Sequence, residues 1–370
     1  MSLADEIQAK AKEIHSDGYS MSLGEIANLY KDGELRLHPE FQREFRWTDK
    51  QKSNLIESIL LGIPLPPIFV VQEEDGVWDV IDGLQRLSTI FEFMGILKDE
   101  NNEFVSQSKM LKTKFLPSLE GKVWEDKEIG DGPNTFTQGQ RIDFKRAKIL
   151  VTIITKESDP DAKFELFQRL NTGGSSLTDQ EVRNCLMLMN DASYYDFIKR
   201  LSENVDFKDA LALSDRQIEE KYDMELICRY LAGKYSAKED FYSLTDISEF
   251  VSEKMILLAR DKKFDREKEV NEFTKLFNLL NGLGESHPFA KYNESKQSFS
   301  GMFLISSFEV IAIGLGKKIN DFSISDKEFV LNKIKGLWSD NEFLSASGTG
   351  KSAKTRMPVC ISIGDRLFSK

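Results

Sequence analysis

The stretch Ile68–Phe93, IFVVQEEDGVWDVIDGLQRLSTIFEF, leaves this chain few choices of local fold. Two β-branched and aromatic runs, IFVVQ and VWDVI, flank the turn Glu73-Glu74-Asp75-Gly76, which predicts a β-hairpin. Leu84, Leu87, Ile90, Phe91 and Met94 then recur at helical spacing. Asp82-Gly83-Leu84-Gln85-Arg86 therefore spans a step from strand to helix. Such a step presents unpaired backbone N–H groups and the positive end of a helix dipole, which suits an anion. Gly83 lets a ligand approach the main chain closely, and Arg86 can grip a phosphate through paired hydrogen bonds. On this reading, removing an exposed Arg86 should weaken triphosphate binding and spare the fold. The same residues also allow a plainer outcome: a hairpin, then a helix capped by Asp82, with Arg86 solvated.

The flanking sequence has its own punctuation. Ser22 and Glu25 have capping-box spacing and open a short helix that Gly33 ends. Glu34–His38 reads as a strand closed by Pro39. Phe41–Trp47, FQREFRW, alternates aromatics with arginines, predicting aromatics inward and Arg43 outward toward the junction. Thr48 and Gln51 form a second capping box before a helix over Lys52–Leu61. Gly62 stops that helix, and Pro64, Pro66 and Pro67 enforce an extended lead into the hairpin. From about residue 99 to 146 the apolar periodicity weakens, which reads as an insertion with small elements at Phe115-Leu116 and Val123-Trp124. Its length points to a lid or a partner surface. Lys148–Thr155 is almost continuously apolar, the pattern of a strand buried on both faces. Ser158-Asp159-Pro160 opens a helix reaching Leu170. The turn Asn171-Thr172-Gly173-Gly174 then either offers backbone donors to a nucleotide or is a glycine C-cap between helices. Thr178 caps a further helix through Asn190.

Asp82-Gly83-Leu84-Gln85-Arg86, followed by Leu-Ser-Thr, resembles the DGQQR motif of the N-terminal domain of GmrSD-type restriction systems. Phe41–Trp47, the helix and proline turn of residues 55–67, and Phe167–Thr178 resemble three further motifs of that family in the same order. Together they span about residues 22–190. Leu84 stands where the motif has its first glutamine. The resemblance implies an α/β, ParB/sulfiredoxin-like fold over residues 1–192, carrying the insertion at about 99–146. It also implies a nucleotide-binding, NTP-hydrolysing module of a defence system that restricts foreign or modified DNA. Under it, Arg86 and Arg43 meet the phosphates of the nucleoside triphosphate, Gly83 and the helix N-terminus donate main-chain N–H groups, and Asn171 and Gly173 add contacts. Asp82 and Gln85 orient Mg²⁺ or water, hydrolysis being mostly positioning and charge neutralisation. A non-enzymatic adaptor that uses the same pocket for a DNA phosphate is the alternative.

Beyond residue 193 helical spacing dominates, predicting an α-helical domain over 193–370. Its expected helices are Tyr194–Leu201, Glu219–Leu231, Ile247–Leu258, Glu267–Leu280, Phe299–Gly314 and Asp326–Leu337. Ser345–Ser352, SASGTGKS, nearly matches a P-loop but lacks its first glycine, and Pro358 follows too soon for a long helix. Lys351, Lys354 and Arg356 are better read as contacts to DNA phosphates. The formal charge of −11 over 370 residues argues against a broad nucleic-acid-coating surface, though not against a local basic groove. Three scattered cysteines and no membrane-spanning window predict a cytoplasmic protein. His15, His38 and His287 show no metal spacing. The family's His-Asn-His-type nuclease domain has no recognisable counterpart here, so DNA cleavage is expected to need a separate nuclease subunit.

Overall fold

A computed structural model describes residue 2 and residues 16–37, 47–99, 101–126, 130, 132–155, 178–241, 245–284, 287–348 and 350–369. The chain divides into two compact units, Met1–Ser176 and Leu177–Lys370. The boundary therefore precedes the one expected near residue 193, and the helix over Asp179–Asn190 belongs to the second unit. The expected turn at Asn171 and Gly173 and the helix before it lie outside the described residues, as does Arg43.

The first unit is α/β. Its strands are β1 (Ser16–Ser22), β2 (Leu35–Arg36), β3 (Ile68–Gln72), β4 (Trp78–Asp82) and β5 (Lys148–Ile154), in the sheet order β1-β5-β3-β4-β2. The hairpin β3–β4 forms as the sequence predicts, with Val70 opposite Val80 and Gly76 in the left-handed region at φ 85°. β3 runs parallel to β5, and β2 parallel to β4. Strand β1 was not predicted. SDGYSMS carries little apolar signal because it lies at the sheet edge, five of its seven residues exposed, paired antiparallel with β5. β5 itself departs from the both-faces expectation: Ile149, Val151, Ile153 and Ile154 are buried, but Lys148 and Leu150 are exposed.

Helices α1 (Leu23–Asp32), α2 (Asp49–Leu60) and α3 (Leu84–Phe93) supply Leu23, Ile26, Leu55, Ile56, Leu87, Ile90 and Phe91 to the core beneath the sheet. Both predicted caps are in place: Ser22 accepts from the Glu25 N–H, and Thr48 and Gln51 form a reciprocal box. Gly33 ends α1 at φ 77°.

The insertion is the largest correction in this unit, because it packs as core rather than hanging as a lid. Trp124, Phe136 and Phe144 ring Phe93 at centroid distances of 5.7, 5.0 and 5.7 Å. A helix missed in the sequence, α4 (Gln138–Arg146), starts at a Thr137–Gln140 capping box; its polar face hid it, and Phe144 is its buried anchor. The loop before it is pinned by α2. Leu111 N–H donates to Ser53 Oγ at 2.8 Å, and the N–H groups of Phe115 and Leu116 donate to Glu57 Oε1 at 2.7 Å each. A hydrogen bond from Thr113, with the two amides, holds the Glu57 carboxyl below its ordinary range against the opposing effect of burial.

The second unit is mostly helical, built from α5 (Asp179–Asn190), α6 (Ala192–Ser202), α7 (Val205–Leu211), α8 (Asp215–Glu219), α9 (Tyr222–Lys234), α10 (Ile247–Arg260), α11 (Arg266–Asn281), α12 (Ile305–Lys318), α13 (Lys327–Leu337), α14 (Asn341–Ala346) and α15 (Ala353–Leu367). Phe299 begins no helix. It lies in β7 (Ser298–Ser300), hairpinned with β6 (Lys291–Asn293), and the helix starts at Ile305. Nor does Pro358 shorten its helix; it sits inside the fifteen-residue α15. α15 and α12 approach so closely that a Cβ on Gly364 would lie 2.5 Å from the Val310 carbonyl oxygen. Two sets of buried carboxylates in this unit are paired: Glu309 is fully buried against Arg356, and Lys234 bridges Glu269 and Glu272 at 2.7 Å each. Among the described residues, no helix is long and apolar enough to cross a membrane.

Candidate functional site

The site predicted at the strand–glycine–helix step is built by β4, α3 and the start of α2. Gly83 is the N-cap of α3 at φ 95°, and no side chain caps the first turn. Asp82 therefore does not take the capping role that the plainer reading gave it. The glycine is required twice over, because a Cβ there would lie 2.1 Å from Ile68 Cδ1 as well as being strained by the positive φ. On that side Gly83 makes room for the core, not for a ligand.

Arg86 is not exposed. Its side chain retains 11% of its accessible surface. The guanidinium donates to the carbonyls of Pro66 and Pro67, the latter at 3.0 Å, and to Asp82 Oδ2 at 3.1 Å. The arginine thus locks the proline turn onto the junction, and burial pulls its pKa below the usual value while Asp82 opposes that shift. The expectation that removing Arg86 spares the fold is corrected by these contacts.

Two helix N-termini converge at this place. The Trp47 N–H, just before α2, donates to Gln85 Oε1 in the first turn of α3 at 3.3 Å. Further along, Lys52 of α2 pairs with Glu92 of α3 at 2.8 Å. The helices therefore start together and run the same way, adding two positive dipole ends of about half a unit charge each. Beside them, Gln85 Nε2 is buried and has no hydrogen-bond partner. One turn later Ser88, 8% exposed, carries an Oγ in the same state. Gln85 was singled out in the sequence, as a group orienting Mg²⁺ or water, but Ser88 was not; its i, i+3 spacing from Gln85 on an apolar helix was the signal that could have found it.

The surroundings fit a metal only in a limited way. Among the described residues, no three metal-binding side chains cluster. Asp82 is a single carboxylate whose ion pair uses Oδ2. That donor set suits Mg²⁺ arriving with a nucleotide, since Mg²⁺ is commonly held by one carboxylate, phosphates and water.

The tail residues do not act together. Lys351 and Lys354 are exposed ahead of and within the first turn of α15. Arg356 is turned inward, donating through Nε and Nη2 to Glu309 at 2.9 and 3.1 Å. The SASGTGKS segment follows a helix rather than a buried strand among the described residues, unlike a P-loop.

Residues 23–188 match the family model described as GmrSD restriction endonuclease, N-terminal domain. No curated protein and no solved structure gives a significant match to the chain.

Proposed function

Since residues 23–188 form a GmrSD-type N-terminal domain, we propose that this chain is the nucleotide-binding, NTP-hydrolysing component of a restriction-like defence system acting on foreign or modified DNA. The observation that carries the reading is the pairing of an uncapped α3 N-terminus with the start of α2, where Gln85 accepts from the Trp47 N–H and keeps its buried Nε2 without a partner. Converging positive helix ends and free N–H donors suit a triphosphate. Gly83 sets the turn, and Asp82 would hold the magnesium ion, which supplies neutralisation of phosphate charge when bound. Arg86 acts by fixing the loop that borders the site. Arg43, Asn171 and Gly173 remain proposed nucleotide contacts. Cutting is assigned to a separate nuclease subunit in the cytoplasm, with Lys351 and Lys354 as DNA phosphate contacts.

The second reading, an adaptor that binds a DNA phosphate without hydrolysis, is favoured by one observation: Arg86 spends its fork on Pro66, Pro67 and Asp82. Titration of the purified chain with nucleoside triphosphate and Mg²⁺ separates the two. Saturable binding with slow phosphate release, and intact supercoiled plasmid, is the expected result. No nucleotide binding, with short duplex DNA still bound, would replace the first reading by the adaptor.

A further inference from the structure

Gln85 is more informative than its motif position. A glutamine amide offers one acceptor and two donors. Here the Trp47 N–H can only donate, so it fixes the carbonyl end of the amide, Oε1, toward itself. The end left without a partner is Nε2, a donor. Ser88 lies three residues on in α3, and its buried hydroxyl does not bond back to the preceding turn, the usual refuge of a serine within a helix. Buried polar atoms are rarely left unsatisfied, and two of them one turn apart on a single helix beside two positive helix ends call for a common partner. That partner must accept hydrogen bonds and tolerate a positive potential, which describes an anionic oxygen.

We propose that Gln85 and Ser88 hold a phosphoryl oxygen of the ligand as hydrogen-bond donors, with the Trp47 main chain positioning Gln85. This rests on the nucleotide-binding reading and sharpens it. Gln85 then grips the ground-state ligand; it is not the group that orients an attacking water through its carbonyl. The ligand chemistry is a phosphoryl group, carried by a nucleoside triphosphate, by inorganic tripolyphosphate or by a DNA backbone.

The test compares wild type with Gln85→Glu, Gln85→Met and Ser88→Ala, titrated with a non-hydrolysable nucleoside triphosphate, tripolyphosphate and a short DNA duplex, and assayed for turnover. Gln85→Glu keeps the acceptor that Trp47 needs and removes both donors. Each Gln85 variant should weaken binding about ten- to a hundredfold, the worth of a hydrogen bond to a charged group, with the loss falling on KM rather than on turnover at saturation. Ser88→Ala should raise the melting temperature of the ligand-free protein, by removing a buried unsatisfied hydroxyl, while shrinking the shift produced by ligand. Tripolyphosphate binding with the same sensitivity assigns the contact to the phosphate chain of a free nucleotide. Sensitivity confined to duplex DNA assigns it to the backbone and overturns the nucleotide reading alone. Unchanged affinity in the Gln85 variants, with turnover collapsed at saturation, makes Gln85 a water-orienting group and overturns the inference while leaving nucleotide binding standing. A wild-type chain that binds none of the three phosphates overturns both.

Discussion

The helix starts at Gly83 of α3 and Ser352 of α15 both lack a side-chain cap and both lie beside residues that suit an anion. In sequence the second is the louder signal, with Gly, Lys and Ser in near P-loop order. In structure they part company. The α3 start lies next to a second helix start and keeps a buried donor unspent. The α15 start opens to solvent, and its one partly buried cation, Arg356, neutralises Glu309. A local motif sets the backbone donors; the neighbours in space decide whether any binding capacity is left over.

Substitution at Glu309 should cut deepest. With its side chain fully buried, Glu309→Ala strands Arg356 in the interior and should cost about 3–5 kcal/mol of stability in chemical denaturation. A loss under 1 kcal/mol would mean that Arg356 is free to serve the surface after all. Next comes Gly83→Ala, which meets Ile68 and a left-handed backbone together. It should cost about 2–4 kcal/mol and remove nucleotide binding; a folded variant that melts like wild type contradicts the junction as described. Arg86→Lys retains the charge but loses the fork to Pro66, Pro67 and Asp82. A destabilisation of about 2 kcal/mol is expected, from hydrogen bonds to a charged group. Unchanged melting with weakened triphosphate binding would return Arg86 to the phosphates. The smallest effect belongs to Lys351→Ala. Nucleotide hydrolysis should stay as in wild type, while the salt dependence of DNA affinity flattens by about one counterion. Loss of hydrolysis there would make the α15 start the nucleotide site.

Much of the first unit was legible because its signals are local. Ser22, Thr48 with Gln51, Gly33 and the hairpin at Gly76 each act within a few residues, and each is where the sequence placed it. Strand β1 was not legible because an edge strand needs no apolar face, and its pairing with β5 spans more than a hundred residues. α4 escaped because Phe144 is its only buried residue. At the site, Gly83 and the step into α3 could be read, but the partners of Arg86 could not, since carbonyls of Pro66 and Pro67 carry no sequence signature. Arg356 read as a surface cation because Glu309 lies 47 positions away. Pro358 was read as a helix breaker, yet α15 is held by packing against α12, and that contact outweighs one missing backbone hydrogen bond.

The grip of Ser53 and Glu57 on residues 111–116 changes what an enzyme that cuts chains would find there. This segment lies in the insertion, and Lys109, Lys112 and Lys114 offer trypsin three accessible targets. Yet a protease must draw the main chain out into its own cleft, and here that chain is tied to α2, with Met110 and Thr113 sunk between the lysines. Cleavage must then wait for local opening. Limited trypsin digestion should leave this segment whole in the native protein, and Glu57→Ala should make it the first place nicked. What reads in the sequence as part of an insertion is a stitch that holds the unit together.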